Sequence, residues 1–407
     1  MKSAVETRPV FASLDGKNPE ELFKIIPSPC YIIDEKQLEE NAKILKGVMD
    51  HTGCKILLAQ KAFSNFDFYP VIEPFLAGTE ASGLFEARLG KEEMPDKEVH
   101  VFCGAYREDE FKELLEYADH IVFNSPAQLK KFGKAAKDRK KSIGLRINPE
   151  CSTQEGHDIY DPCARGSRLG TTREVWDAQM TTELVNMLDG LHFHTLCEQD
   201  SDDLEKTLKA VEEKFDDILP QMKWINMGGG HHITRTDYHI NTLEKCIVYA
   251  KEKWKVDVYL EPGEAVALNA GYFLTRVLDV VKNNDISIAV LDGSAACHMP
   301  DVIEMPYVPP LYLAEEGTAG EHVYRLAGPT CLAGDVISDY SFNKDLKEED
   351  ILLFGDMAIY TTSQNNTFKG MPLPDIWRRT KDGKMEKLTD FSYADFKMRL
   401  GRGRSVK

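Results

Sequence analysis

The sequence predicts an α/β protein, a (β/α)8 barrel followed by a C-terminal β domain. Three observations carry that expectation. Short runs that read as buried strands recur eight times between residues 56 and 260. Segments with helical periodicity separate most of these runs. Beyond Gly271 that periodicity stops, and strand-like runs take over until the last residues.

The eight runs are 56–60, 79–82, 99–103, 121–124, 142–147, 191–194, 224–227 and 256–260. Regular strand–helix alternation implies parallel pairing through right-handed crossovers. Four or five strands would satisfy an open sheet, whereas eight close a barrel, so the count decides. Among the helices, Leu38, Leu45 and Val48 form one stripe after Asp34, with Gln37 placed to complete a capping box. Leu204, Leu208, Val211 and Phe215 form another behind Ser201, the expected N-cap. The runs 272–281, 286–291, 322–326 and 351–354 make the β domain, joined by 30–33 from before the barrel. The expected domains are therefore 34–270 for the barrel, with 1–33 and 271–407 for the sheet. The basic stretch 378–407 reads as a solvated terminal segment.

A formal net charge of −17 argues against a nucleic-acid partner and favours the approach of a small polycation. No apolar run reaches the roughly 20 residues needed to span a bilayer. Residues 1–16 lack a basic-then-apolar signal pattern. Nine scattered cysteines without a C-x-x-C pair point to a reducing compartment and no structural zinc. The expected location is the cytoplasm.

Barrels of this kind place their chemistry at the C-terminal strand ends. Those ends carry Lys61, Ser82, Cys103, Asn124, Arg146, His194, then Gly228, Gly229 and Gly230, and Glu261. Each has an ordinary reading alone: a surface lysine, a core histidine, a strand-to-helix turn, a turn-capping acid. Together they match what pyridoxal 5′-phosphate requires. A lysine amine condenses with the cofactor aldehyde, a carboxylate keeps the ring nitrogen protonated, and glycine-run amides hold the phosphate. A second reading starts from His192 and His194. Two apart on one strand, both imidazoles face one side and could hold zinc in a metal-dependent barrel hydrolase. Such enzymes carry that pair on their first barrel strand, and here it lies on about the sixth.

From about Pro27 to Pro374 the chain resembles the fold-type III pyridoxal-phosphate enzymes, the alanine racemase and ornithine decarboxylase group. The motifs are PCYIIDEKQLEENAKIL, LLAQKAFS, YDPCARGSRLG, GLHFHTLCEQD, NMGGGHHITR, LEPGEAVALNAGY, SAACHMPDVIEMPY, GPTCLAGDVI and YTTSQNNTFKG. It is most similar to the branch that decarboxylates carboxynorspermidine and carboxyspermidine. The resemblance implies polyamine biosynthesis and a homodimer with shared active sites. It implies that Lys61 anchors the cofactor, His194 stacks on its ring, Arg146 lies near the ring, and Glu261 partners the ring nitrogen. Gly228, Gly229, Gly230 and Tyr360 match phosphate contacts. Cys331 matches a cysteine that the second subunit inserts, and Asp335 a substrate-amine contact. Glu264, Asp301 and Glu304 are further candidates for the substrate nitrogens. Where ornithine and diaminopimelate decarboxylases carry a phosphate-binding arginine after EPG, this chain has Glu264. Cys197 replaces a phosphate-binding serine, and Leu332 an acid that diaminopimelate needs. Other decarboxylases of the fold, of diaminopimelate or ornithine type, are the alternatives within the group.

Overall fold

The structure is a computed structural model that describes residues 9–14, 16–154 and 161–401. Tyr160, which opens the YDPCARGSRLG motif, and tail residues 402–407 lie outside the described residues. The chain divides into two compact units, Glu39–Val266 and Met1–Leu38 with Ala267–Lys407.

The continuous unit is a closed barrel of eight parallel strands. They are β2 (Lys55–Ala59), β3 (Gly78–Ala81), β4 (Glu98–Phe102), β5 (His120–Phe123), β6 (Ser142–Arg146), β7 (Gly190–His192), β8 (Trp224–Asn226) and β9 (Asp257–Leu260). β9 closes on β2 through Lys55 opposite Tyr259 and Ile56 opposite Leu260. Most ladders stop one or two residues before the apolar runs do, and this frees the residues just past each strand for chemistry. Leu57, Val122, Trp224 and Tyr259 fill the interior. A Cβ on Gly144 or Gly190 would come within 2.4 or 2.1 Å of the Trp224 ring, so these glycines make room for the indole.

Helix Ser201–Phe215 buries Leu204, Leu208, Val211 and Phe215 as its periodicity requires. At roughly 1.5–3 kcal/mol per buried large side chain, that stripe dominates its attachment to the barrel. Its N-cap is Asp200, whose carboxylate accepts the Ser201 amide at 2.6 Å, rather than the expected Ser201. Ser201 is buried instead and donates its hydroxyl to the His239 carbonyl at 2.8 Å.

The second unit is a nine-stranded mixed sheet. Its strands are β1 (Cys30–Asp34), β10 (Gly271–Asn283), β11 (Ile286–Leu291), β12 (Ala314–Glu316), β13 (His322–Ala327), β14 (Val336–Phe342), β15 (Ile351–Gly355), β16 (Asp375–Arg379) and β17 (Met385–Thr389). The order is β12-β14-β13-β11-β10-β1-β16-β17, with β15 paired to β10. Every residue of β1 is buried. It runs antiparallel to β10 and parallel to β16.

The tail is solvated, as expected, but ordered: beyond Arg379 none of its described residues is buried, while β16 and β17 extend the sheet and an exposed helix follows over Tyr393–Leu400. The reason lies in one buried ion pair. Arg379 Nη1 donates to Asp34 Oδ2 at 2.5 Å and to the Ser13 carbonyl at 2.8 Å. Asp34 Oδ1 meanwhile accepts the Gln37 amide at 3.0 Å, capping helix Glu35–Thr52.

Candidate active site

Glu261 sits one residue past β9 and is buried. Its Oε1 accepts Asn226 Nδ2 at 2.5 Å, and its Oε2 lies 3.0 Å from His192 Nε2. Burial pushes the carboxyl up. The His192 ring, through charge and hydrogen bond, and Asn226 outweigh it and leave Glu261 below its ordinary range. Burial, foremost, lowers His192. Glu261 is thus held as a carboxylate that accepts the His192 Nε2–H.

His194 lies just beyond β7, and its Nδ1 accepts the Gly229 amide at 3.2 Å. That contact fixes the neutral tautomer with the proton on Nε2. Burial, then the charges of Lys61 and Arg146, hold His194 well below the usual imidazole range. The glycines are packing requirements. A Cβ on Gly229 would lie 2.4 Å from the Glu261 carbonyl, and one on Gly230 2.1 Å from that of Leu196. Gly228 and Gly230 also adopt positive φ, 72° and 79°. The Gly228 amide donates to Asn226 Oδ1 at 2.9 Å. Gly230 is thus the one glycine of the run whose amide has no acceptor among the described residues.

Arg146 closes β6, is buried, and donates to the His194 carbonyl at 3.0 Å. Its guanidinium stacks 4.6 Å from the Phe102 ring centroid, and burial lowers its pKa to about 10. Lys61 follows β2, half-buried, with no hydrogen bond or ion pair among the described residues. Glu80, at the C-terminal end of β3, is buried, and burial followed by the Glu261 charge raises its carboxyl well above the ordinary range. Sequence reasoning missed Glu80 and Asn226. The available signal was an acid inside the buried strand-like run GTEAS, where a charged side chain is rarely idle.

Glu264 does not project toward solvent. It is buried, and its Oε2 lies 2.8 Å from His232 Nε2. The expected role toward substrate ammonium groups therefore has to accommodate this partner on Oε2. The zinc reading falls. His192 and His194 are engaged with Glu261 and Gly229, and the side-chain groups with ligand spacing among the described residues contain neither. Those groups are Glu98, His100 and His120, and Glu198, His232 and Glu264. In the first, Lys55 Nζ already occupies Glu98 Oε1 at 2.5 Å.

The sheet unit carries the remaining candidates. Cys331 is exposed, and Lys369 Nζ stands 3.0 Å from its sulfur, which lowers the thiol pKa. Asp335 is buried and accepts Ser294 Oγ at 2.9 Å, Thr330 Oγ1 at 2.6 Å and the Ala296 amide at 3.2 Å. These contacts hold the GPTCLAGD loop in shape. Tyr360 is half-buried, with a φ of 49°. Asp301 and Glu304 bound a one-turn helix, Asp301 half-buried and Glu304 exposed. No helix among the described residues is long and apolar enough to cross a membrane.

A closed parallel barrel with a lysine, a buried carboxylate–imidazole pair and a glycine run at its strand ends, on one chain with a mixed sheet, defines a class: the barrel-and-sheet decarboxylases. The model of the family described as pyridoxal-dependent decarboxylase, C-terminal sheet domain, matches residues 30–358. A carboxynorspermidine/carboxyspermidine decarboxylase of Campylobacter jejuni is 40% identical over 93% of this chain and 99% of its own. A carboxyaminopropylagmatine decarboxylase of Synechocystis is 38% identical over 92% of this chain and 96% of its own. The crystal structure of the C. jejuni carboxynorspermidine decarboxylase complexed with norspermidine superposes with a TM-score of 0.84 at 39% identity, covering 92% of this chain and all of that one. The chain belongs to the pyridoxal-dependent decarboxylase family.

Proposed function

We propose that this enzyme decarboxylates carboxynorspermidine or carboxyspermidine, giving norspermidine or spermidine, with pyridoxal 5′-phosphate anchored on Lys61. The observation that carries the reading is the uncommitted Lys61 at the mouth of a barrel where Glu261 is held as a carboxylate. Likeness over nearly the full length to a relative named for these two substrates supports it.

The residues fit the cofactor. Lys61 has no competing partner among the described residues, and Glu261 keeps lone pairs beyond those that Asn226 and His192 take. When bound, pyridoxal phosphate supplies a sink for the electron pair left as CO2 departs. Glu261 fixes a negative charge for the ring nitrogen, and His192 and Asn226 fix Glu261. His194, oriented by the Gly229 amide, would hold the face of the cofactor ring, and Arg146, which donates to the His194 carbonyl, would stand near it. Gly230 and Tyr360 contribute phosphate contacts. Cys331 of a second copy, or Lys61, returns a proton to the substrate Cα. Asp301 and Glu304 are candidates for the distal ammonium groups, while Asp335 shapes the loop that carries Cys331.

The near-equal likeness to the Synechocystis relative favours one alternative, an agmatine-derived substrate that ends in a guanidinium. The test is CO2 release from carboxynorspermidine, carboxyspermidine and carboxyaminopropylagmatine, side by side, together with borohydride reduction and peptide mapping. The expected result is turnover of the first two and a cofactor adduct on Lys61. Preference for the third would move the substrate assignment, and an adduct on another lysine would end the assignment of the anchor.

A further inference from the structure

We propose that Gln199 is a positioning residue for the phosphate end of the cofactor: through it, the loops after β6 and β7 hold the glycine turn in one conformation. The inference rests on the pyridoxal-phosphate reading above and deepens it.

The Gly228 amide is given to Asn226 and the Gly229 amide to His194, so the run keeps the Gly230 amide for an anion. Gly230, at a φ of 79°, is also the residue type that turns most freely. Its amide aims at one point only if something outside the run fixes it. The Gln199 amide donates to the Gly230 carbonyl at 3.0 Å, and the Gln199 carbonyl accepts the His232 amide at 3.3 Å. These bonds make a parallel bridge between Gln199 and His231. Gly230 is pressed against the same loop. A Cβ on it would lie 2.1 Å from the Leu196 carbonyl oxygen and 2.8 Å from the Cys197 nitrogen.

The Gln199 side chain fixes the loop that does this holding. Glu198 sits at a φ of 54°, in the left-handed region that a residue with a Cβ enters rarely and that its surroundings must enforce. Three donors converge on Gln199 Oε1: Gln154 Nε2 at 2.7 Å, Thr153 Oγ1 at 3.0 Å and the Cys197 amide at 3.4 Å. Gln199 Nε2 donates to the Thr153 carbonyl at 2.7 Å, and Gln154 Nε2 also reaches the Cys197 carbonyl at 3.1 Å. Thr153 and Gln154 follow β6, Gln199 follows β7 and Gly230 follows β8, so one residue ties successive strand ends together. A neutral amide suits the position. It donates and accepts at once, whereas a carboxylate could not donate to Thr153 and would add negative charge beside a turn meant for an anion. Gln199 acts through Gly230 and makes no contact with the cofactor itself.

The experiment titrates the full chain, freed of cofactor, separately with pyridoxal 5′-phosphate and with pyridoxal, which has the same aldehyde and no phosphate. Dissociation constants are read from absorbance. Gln199→Leu should weaken pyridoxal phosphate about 10-fold, the scale of one net hydrogen bond lost from the support of the turn. Pyridoxal affinity should be unchanged, which also shows that the variant is folded. Gln199→Glu, which keeps the shape, should weaken pyridoxal phosphate at least as much. Thr153→Val removes a single donor from Gln199 Oε1 and leaves the side-chain volume nearly intact. It should give a smaller loss, again for pyridoxal phosphate alone, and no further loss in the Gln199→Leu background, because both changes break one link. Equal loss of both ligands in either single variant would make the loop a general support and overturn the proposal. Undiminished pyridoxal phosphate affinity in Gln199→Leu would overturn it too, as would a Thr153→Val effect that simply adds to that of Gln199→Leu. Wild-type protein that takes neither aldehyde would refute the cofactor reading itself, and the proposal with it, a result distinct from any seen only in the variants.

Discussion

Glu261→Gln tests the electronic centre of the barrel. The wild-type carboxylate accepts from two fixed donors, Asn226 Nδ2 at 2.5 Å and His192 Nε2 at 3.0 Å. Glutamine supplies one oxygen and one NH2 group, so its NH2 must face one of those donors. His192 can relieve the clash by moving its proton to Nδ1, but Nδ1 is buried without a partner among the described residues. A buried unsatisfied donor costs about 1–3 kcal/mol, partly offset because the variant no longer buries a charge. A net loss of roughly 1–2 kcal/mol in urea unfolding is expected. Turnover should fall on the order of 10²- to 10³-fold, the scale seen when one preorganised electrostatic contact is removed. The cofactor should remain attached. The pH dependence has a fixed sign. Because the folded pKa of Glu261 is depressed, its contribution is present above the unfolded value near about 4.3 and is lost as pH falls through the folded value. The stability gap between wild type and variant should therefore close in acid. Undiminished CO2 release, or a gap that widens below about pH 4, would refute the ionised-carboxylate argument.

Three further outcomes follow from named contacts. Gly229→Ala places a Cβ 2.4 Å from the Glu261 carbonyl and should destabilise the barrel by about 1–3 kcal/mol in urea, with weaker cofactor binding; an unchanged midpoint would show that the strand ends can give way. Lys369→Met removes the ammonium 3.0 Å from Cys331, so the pH profile of Cys331 alkylation should move to higher pH, and an unmoved profile would refute the pairing. If the active site is shared between two copies, mixing inactive Lys61→Ala and Cys331→Ala proteins under verified exchange should restore about a quarter of wild-type activity, since half the dimers are mixed and each has one intact site. No recovery would place both residues in one chain's site.

The barrel was legible because most of its strands are buried, largely apolar runs, most of them separated by segments with helical periodicity. The sheet was legible only where its strands are similarly apolar, as in Ile286–Leu291 and Ile351–Gly355. β14 reads VISDYSF and β16 DIWRR, with polar and charged side chains that hide a strand. β16 declares itself only through Arg379 and Asp34, a pairing no local pattern reveals. At the barrel mouth, residue types at strand ends could be read, but their hydrogen bonds could not. His192 looked like half of a metal pair until Glu261 was seen to hold it. Glu264 read as a substrate contact because its partner, His232, is 32 residues away in sequence.

The placement of β1 has a consequence for how the protein is made. A ribosome delivers β1 early, then the whole contiguous barrel segment, and only afterwards the strands that flank β1. Arg379, which neutralises Asp34 at the end of β1, follows it by 345 residues. At roughly 5–20 residues per second, that partner arrives about 20–70 s later. Until β10 emerges, both hydrogen-bonding edges of the strand CYIID are open, and the edge that β16 covers stays open for the whole interval. Such an edge is a template for wrong pairing with another nascent chain. The barrel segment can therefore fold as it emerges, while the sheet is completed last. Truncations that remove β16 and β17 should expose that edge permanently, so loss of the C-terminal 35 or so residues would be felt as aggregation rather than as a shortened tail.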